Sequence, residues 1–340
     1  MPSVTTSPPP PAPTALPVSS GPPPVPRRVR RRSLWLRAGA AVVVLGSLLV
    51  DPSPIALVVL LFVVVVPFEK LFPRHDQRLR RPRLGLDIGY ALAQPALTGI
   101  SLVAGGAVAI ASLFWLPGLA LRPVVAAIPP LAQVLVGFVI FDFLIYWVHR
   151  WSHEVPFLWR FHSVHHSIET MDWVSAFRNH PIDGIILAPP IAFMLAAGFS
   201  LETTGVLTVL QIVTGIFLHA NVRWRWRPLQ RIIITPDFHH WHHANEEGAI
   251  NSNYSVFLPL WDIVFGTWFM PKDRRPSVYG IDEYMPPTML AQFMHPFRGL
   301  QKPTVALRHP IRTTKKAGRD LRRGIGQIRH ASRRRERQID

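Results

Sequence analysis

The sequence predicts an all-α protein, an integral membrane helical bundle with a cytosolic helical lobe that carries its histidines, and three observations predict it. Hydrophobic residues make up 49% of the 340 positions and charged residues 17%, with a mean hydropathy of +0.20, more apolar than a soluble globule of this size. The 37 lysines and arginines, which set a formal net charge of +17, cluster between the apolar runs and in the tails. Histidines recur at helical spacing beside those runs.

Residues 1–26 hold eleven prolines and little that could pack, which predicts a polyproline-prone tail; with the basic stretch that follows it forms an N-terminal region, 1–33. An uncleaved apolar hairpin follows over 34–50 and 55–66, broken at Asp51-Pro52-Ser53-Pro54, with a re-entrant hairpin as the alternative. The apolar pattern resumes over 86–121, interrupted at Pro95 and at Gly105-Gly106, and returns over 124–148; a last hairpin covers 182–199 and 203–219. The membrane-embedded domain is expected over 34–275, with its motif core at 138–272, and a basic C-terminal tail over 276–340.

Six arginines in 27–37, the group Lys70, Arg74, Arg78, Arg80, Arg81 and Arg83, and a dozen basic residues in 308–337 all fall where cationic loops face the cytoplasm and its anionic lipid. That placement argues against a nucleic-acid partner and puts 149–180 and 219–243 on the cytoplasmic side of a multi-pass protein in a cell inner membrane or an ER-type membrane. The chain has no cysteine, which excludes disulfide frameworks, thiolate zinc sites, Cys-ligated iron–sulfur clusters and cysteine nucleophiles.

Of the 15 histidines, eight form three sets: His149 and His153; His162, His165 and His166; His239, His242 and His243. The spacings are i,i+4 once and i,i+3,i+4 twice, so each set shares a helix face and can aim its imidazoles at one point. His240 points off that face. A single such pair is often plain surface polarity. Eight imidazoles crowded beside membrane spans would each need a hydrogen-bond partner, whereas metal satisfies them together. They are too many for one ion, so two ions of Fe, Zn, Cu or Ni is the economical count.

The run Asp142-x-x-x-Tyr146-Trp147-x-His149-Arg150-x-x-His153, with Leu158-Trp159-x-x-His162-x-x-His165-His166-Ser167, Arg178-x-His180-Pro181, His219-x-Asn221, Thr235-Pro236-x-x-His239-x-x-His242-His243, Asn253-Tyr254 and Trp261-Asp262-x-x-Phe265-Gly266-Thr267, resembles the fatty acid hydroxylase superfamily, which includes sterol desaturases. The resemblance covers about 55–275. It implies a membrane non-haem di-iron oxidoreductase that uses O2 and external electrons to hydroxylate or desaturate a lipid C–H bond, the lipid being a sterol, fatty acyl chain, carotenoid or related molecule. It further implies the eight clustered histidines as metal ligands, His219 as a ninth and His180 as another or as an anchor beside them. Asp142, two turns before His149 on the same face, is expected to orient an imidazole; Asn221, Asn253 and Asp262 are expected to support the site without binding metal.

With no cysteine and no Gly-rich nucleotide-binding unit, the two electrons must come from a separate partner, a ferredoxin or cytochrome b5-like protein with its reductase, docking on Arg223, Arg225, Arg227 and the basic tail. The alternative reading is a multi-histidine divalent-metal transporter or metal-binding membrane protein. A transporter would place its ligands within the spans and add acidic partners; here the clusters follow the spans. A bis-histidine haem protein would use single histidines on facing helices, and no His-Glu-x-x-His metalloprotease motif occurs.

Overall fold

A computed structural model describes residues 27–298, Trp226 excepted. Its helices are α1 (Arg27–Val50), α2 (Ser53–Leu71), α3 (Leu84–Leu92), α4 (Gln94–Ser112), α5 (Leu116–Ala126), α6 (Pro130–Glu154), α7 (Pro156–His166), α8 (Pro181–Ile186), α9 (Ala188–Ala196), α10 (Leu201–His219), α11 (Pro236–His242), α12 (Leu260–Val264) and α13 (Met289–Met294). Short 3-10 turns stand at Trp173–Phe177, Arg227–Leu229 and His295–Phe297. No strand is present among the described residues, only isolated bridges at Pro73 with Val222 and Ala244 with Tyr279.

Among the described residues four helices, α2, α4, α6 and α10, are long and apolar enough to cross a membrane. Their large apolar side chains point outward: Val63, Val103, Leu135 and Val206 are more than 60% exposed, a surface that water would penalise and lipid tails accept. The chain is an integral membrane protein. Proline opens most of these helices: Pro54 in α2, Pro95 in α4 and Pro130 in α6 sit in the first turn, where the missing N–H costs nothing.

The expected break at Gly105-Gly106 is absent, and α4 runs through it. Gly105 instead permits close packing, since a Cβ there would lie 3.0 Å from the Ala188 methyl group at the start of α9. The 86–121 stretch is broken elsewhere, around Ala93 and at Leu113–Trp115, giving α3, α4 and α5. Residues 124–126 belong to α5, and the return span starts at Pro130.

The basic C-terminal tail does not start at 276. Met285, Met289 and Ala291 are buried, α13 packs on α1 and α3, and Gln292 Oε1 accepts the Tyr90 hydroxyl at 2.8 Å. Residues 1–26 and 299–340 lie outside the described residues, as do the side chains of Arg27 through Arg32 and the basic cluster at 308–337.

The histidine-bearing segments gather at one end of the bundle because α6 and α10 both finish there. A sharp turn at Val155, where Pro156 cannot continue the ladder of α6, sends α7 back across that end. Thr235 accepts the Phe238 N–H and starts α11 beside α10. Buried ion pairs fasten these pieces. Asp87, in apolar α3, meets Arg178 at 2.6 Å and Arg81 at 2.8 Å, and Arg81 also meets Asp172. Asp237 on α11 meets Arg74 at 2.6 Å and Arg225 at 3.1 Å. Asp87, Asp237, Arg74, Arg81 and Arg178 are buried and each is paired, the condition for tolerating them away from water, while Asp172 and Arg225 are half-buried partners at the edge.

Candidate metal centre

Nine imidazoles converge in two adjoining groups. His149, His153, His162, His166 and His242 form one; His165, His219, His239 and His243 form the other. Within each group one nitrogen per residue lies within 4.8 Å of all the rest. The groups abut through His166 and His243, whose rings stack at 4.3 Å.

The far nitrogens are fixed by backbone carbonyls. His149 Nδ1 donates to the Tyr254 oxygen at 2.6 Å, His165 Nδ1 to Arg178 at 3.1 Å, His219 Nδ1 to Gly215 at 2.7 Å and His242 Nδ1 to Ser252 at 2.9 Å. A carbonyl can only accept, so each Nδ1 carries the proton and a neutral ring leaves its Nε2 lone pair bare. Burial holds the rings outside the spans neutral. It pushes His165, His166, His239 and His243 well below the ordinary histidine value and His242 down to about 3, with neighbouring imidazoles adding to the shift for the first four.

The bare nitrogens then face one another. His165 Nε2 and His219 Nε2 stand 3.2 Å apart, and His153, His162, His166 and His242 each bury an Nε2 with no partner. Buried orphan acceptors of this number are costly unless an electrophile lies between them. Nine nitrogens without a carboxylate suit Fe, Zn, Cu or Ni, so these residues fit a two-ion site.

His180 is not brought in. Its Nδ1 accepts the Ile182 N–H at the start of α8, and its Nε2 bonds the Phe293 carbonyl at 3.1 Å. His240 also stands apart, bonded to the Tyr279 hydroxyl at 3.0 Å and the Ala220 oxygen at 3.1 Å. Asp142 orients no imidazole: it accepts from the Phe257 and Leu258 amides and the Trp261 indole, pinning the segment before α12 to α6. Asn221 likewise bonds the His75 backbone, and its own N–H goes to Glu69.

Asp262 and Asn253 do support the centre at one remove. Asp262 accepts the amides of Tyr254 and Ser255, both at 2.8 Å, and so sets the carbonyl that holds His149. Asn253, at a left-handed φ of 61°, spends its side chain on Phe238 and Phe269 and braces α11. Sequence reading missed the roles of Arg178 and Asp87; a lone acid in an apolar run was the available signal, because it must find a buried cation. Of the cations expected to dock a partner, Arg225 turns inward to Asp237, while Arg223 lies over the Phe72 ring and Arg227 bonds the Lys272 carbonyl.

A cavity of about 630 Å3 reaches the centre, bounded by α4, α6, α8, α9 and α10 and touching His149, His162, His165, His219 and His239. Its walls away from the histidines are mostly aliphatic, including Leu102, Leu187, Ile191 and Leu195. An apolar slot beside a buried histidine centre at the edge of the spans can hold a hydrocarbon chain and keep water out.

Comparison with known proteins agrees. The model of the fatty acid hydroxylase family matches residues 134–267. The chain is 29% identical over 258 residues to the ornithine lipid hydroxylase OlsE of Rhizobium tropici, covering 71% of this chain and 72% of that protein. It is 30% identical over 144 residues to the human alkylglycerol monooxygenase, covering 41% of this chain and 31% of that protein, and 32% identical over 156 residues to the very-long-chain aldehyde decarbonylase GL1-6 of Oryza sativa subsp. japonica, covering 42% and 24%. No solved structure matches. Residues 134–267 thus form a fatty acid hydroxylase domain, and the relatives that the chain matches include a lipid hydroxylase and a monooxygenase.

Proposed function

We propose that the protein is a di-iron lipid hydroxylase or desaturase whose ligands are His149, His153, His162, His166 and His242 for one ion and His165, His219, His239 and His243 for the other. The observation that carries this reading is the confrontation of unprotonated nitrogens, His165 Nε2 on His219 Nε2 above all, beside a slot shaped for a hydrocarbon. Histidine acid–base chemistry cannot attack an alkyl C–H bond, which has no acidic proton. Iron bound there would supply the reduction of O2 and the oxidation of the C–H bond. In a hydroxylation, one oxygen atom enters the lipid and the other leaves as water with two electrons and two protons.

The chain's own part is positional. Carbonyls of Tyr254, Arg178, Gly215 and Ser252 hold four imidazoles in the Nδ1–H tautomer. The aliphatic walls set the lipid against the centre and exclude water. The substrates named for the relatives, an ornithine lipid and alkylglycerols, support a substrate drawn from the polar membrane lipids. The histidine end faces the cytoplasm, and a ferredoxin or cytochrome b5-like donor with its reductase docks there. The catalytic domain is the 34–275 segment with core 138–272, to which residues up to 298 add packing.

The test is turnover in lipid nanodiscs with membrane lipids of a source organism, NAD(P)H, a ferredoxin and its reductase, read by mass spectrometry. The expected products are lipids heavier by one oxygen or lighter by two hydrogens, dependent on the donor protein. Metal uptake that moves an ion across a sealed vesicle, with no lipid change, supports the transporter reading instead.

A further inference from the structure

Among the described residues lining the slot there is no Lys, Arg or Glu and a single acid, Asp183. It stands in the first turn of α8. Both of its carboxylate oxygens are buried and have no hydrogen-bond partner. The nearest basic atom is His162 Nδ1, 3.7 Å from Oδ1, beyond hydrogen-bond reach. With His162 as its one ion-pair neighbour and no hydrogen bond to either oxygen, the carboxylate leaves Oδ2 wholly unsatisfied, a cost that a donor carried by a ligand in the slot would remove.

Depth in the slot says which part of the ligand it meets. Ser101 of α4 donates to the Pro181 carbonyl at 2.9 Å, which fixes α8 at that level of the bundle, and Asp183 there adjoins His162 of the histidine centre. From Ser101 the slot follows α4 through Leu102 and Gly106 to Ala109, eight residues or about 12 Å further along the helix at 1.5 Å per residue. Along α4 and α9 that deeper stretch offers aliphatic side chains, with Thr208 and Gln211 of α10 its polar exceptions, and at the histidine end Gln94 and Asn179 join Asp183, the one charged group. The polarity gradient matches a lipid standing in its own leaflet, with the headgroup at the helix ends and the chain toward the bilayer interior.

We propose that Asp183 reads the headgroup: its carboxylate binds the ammonium of an amine-bearing polar lipid, which enters head first toward the centre with its hydrocarbon along α4. This deepens the lipid-oxidising reading and rests on it. The carbon attacked then lies near the headgroup, not at the chain end. The competing role for Asp183 is support of the His162 ring, and the two are separable because support of a ligand moves metal content while headgroup reading moves lipid preference.

The experiment uses the iron-loaded protein in uncharged maltoside micelles and two probes, N-palmitoylputrescine, with one ammonium on a single chain, and its N′-acetyl derivative, which lacks the charge. Wild type is expected to bind the amine at least about tenfold more tightly, as a charge-assisted hydrogen bond out of water warrants. Asp183→Asn is expected to remove that preference with metal content unchanged, and Asp183→Glu to keep it. Equal binding of the two probes by wild type overturns the proposal, and that comparison stands even if a variant fails to fold. Loss of metal from Asp183→Asn with equal weakening for both probes also overturns it and makes Asp183 a prop for His162. Absence of lipid turnover in an iron-loaded protein that still prefers the amine counts against the oxidase reading alone.

Discussion

His165 Nε2 and His219 Nε2 face each other at 3.2 Å while the Nδ1 of each donates to a backbone carbonyl. Two neutral imidazoles so arranged repel, and only a cation between them turns the contact favourable. Metal binding is therefore coupled to folding. Stripping the protein with a chelator is expected to lower its thermal midpoint by at least about 4 °C, and adding Fe(II) back to restore it. A midpoint indifferent to chelation would mean that the imidazoles settle their own lone pairs.

His240 and His242 make a sharper contrast, being two residues apart on one short helix. His242→Ala removes a member of the first group and is expected to cut bound metal by about half or more, in line with one lost ligand of a coupled centre. His240→Ala loses its bonds to Tyr279 and Ala220 and is expected to cost about 1–2 kcal/mol of stability with metal content intact. Elemental analysis and thermal unfolding of both variants separate the two effects.

Asp262 touches no imidazole yet sets one. Asp262→Ala strands the amides of Tyr254 and Ser255, a loss of about 1–3 kcal/mol for each buried donor left unpaired, and frees the carbonyl that holds His149. Lower metal occupancy should accompany the lower stability. Wild-type occupancy in a destabilised variant would show that His149 keeps its tautomer without help.

Arg178 holds Asp87 on one side and presents its carbonyl to His165 on the other. Arg178→Met leaves a wholly buried carboxylate with Arg81 alone, and removing one partner of a buried pair costs about 3 to 5 kcal/mol. Poor yield of this variant, with recovery in the double variant Arg178→Met with Asp87→Leu, is the expected pattern in a membrane expression and unfolding assay.

Acid should unfold the metal-free protein for a reason that can be signed. Burial lowers the affinity of His165, His166, His239, His242 and His243 for protons in the folded state, whereas the unfolded chain takes them up near the ordinary value of about 6.5. The unfolded state binds more protons, so stability falls as pH falls through that value and is recovered above it. The thermal midpoint of the stripped protein is expected to drop steeply from about pH 7.5 to about pH 5.5; a flat profile would count against neutral buried rings.

The residues differ in how far their sequence context disclosed them. The convergence of His149 and His153 with the triplets that follow was legible because helical spacing alone puts their imidazoles on one face. The meeting of His165 with His219, from separate helices 54 positions apart, needed the family resemblance as well. Asp142 was misread: its spacing to His149 is helical, but α12 folds back over α6 and three donors from 257–261 take the carboxylate first. His180 was left open by its motif and is used up by a helix cap and a carbonyl from the α13 segment. The Gly105-Gly106 pair read as a break because glycine weakens a helix in isolation, yet packing against α9 reverses that preference. Asp183 carried no signal beyond being one acid in an apolar hairpin.

The most direct test of the central claim is the metal content of protein purified gently from iron-supplied cells, determined by elemental analysis against protein mass. Two groups of five and four imidazoles predict about two iron ions per chain. One ion or fewer in folded, fully recovered protein would contradict the dinuclear centre.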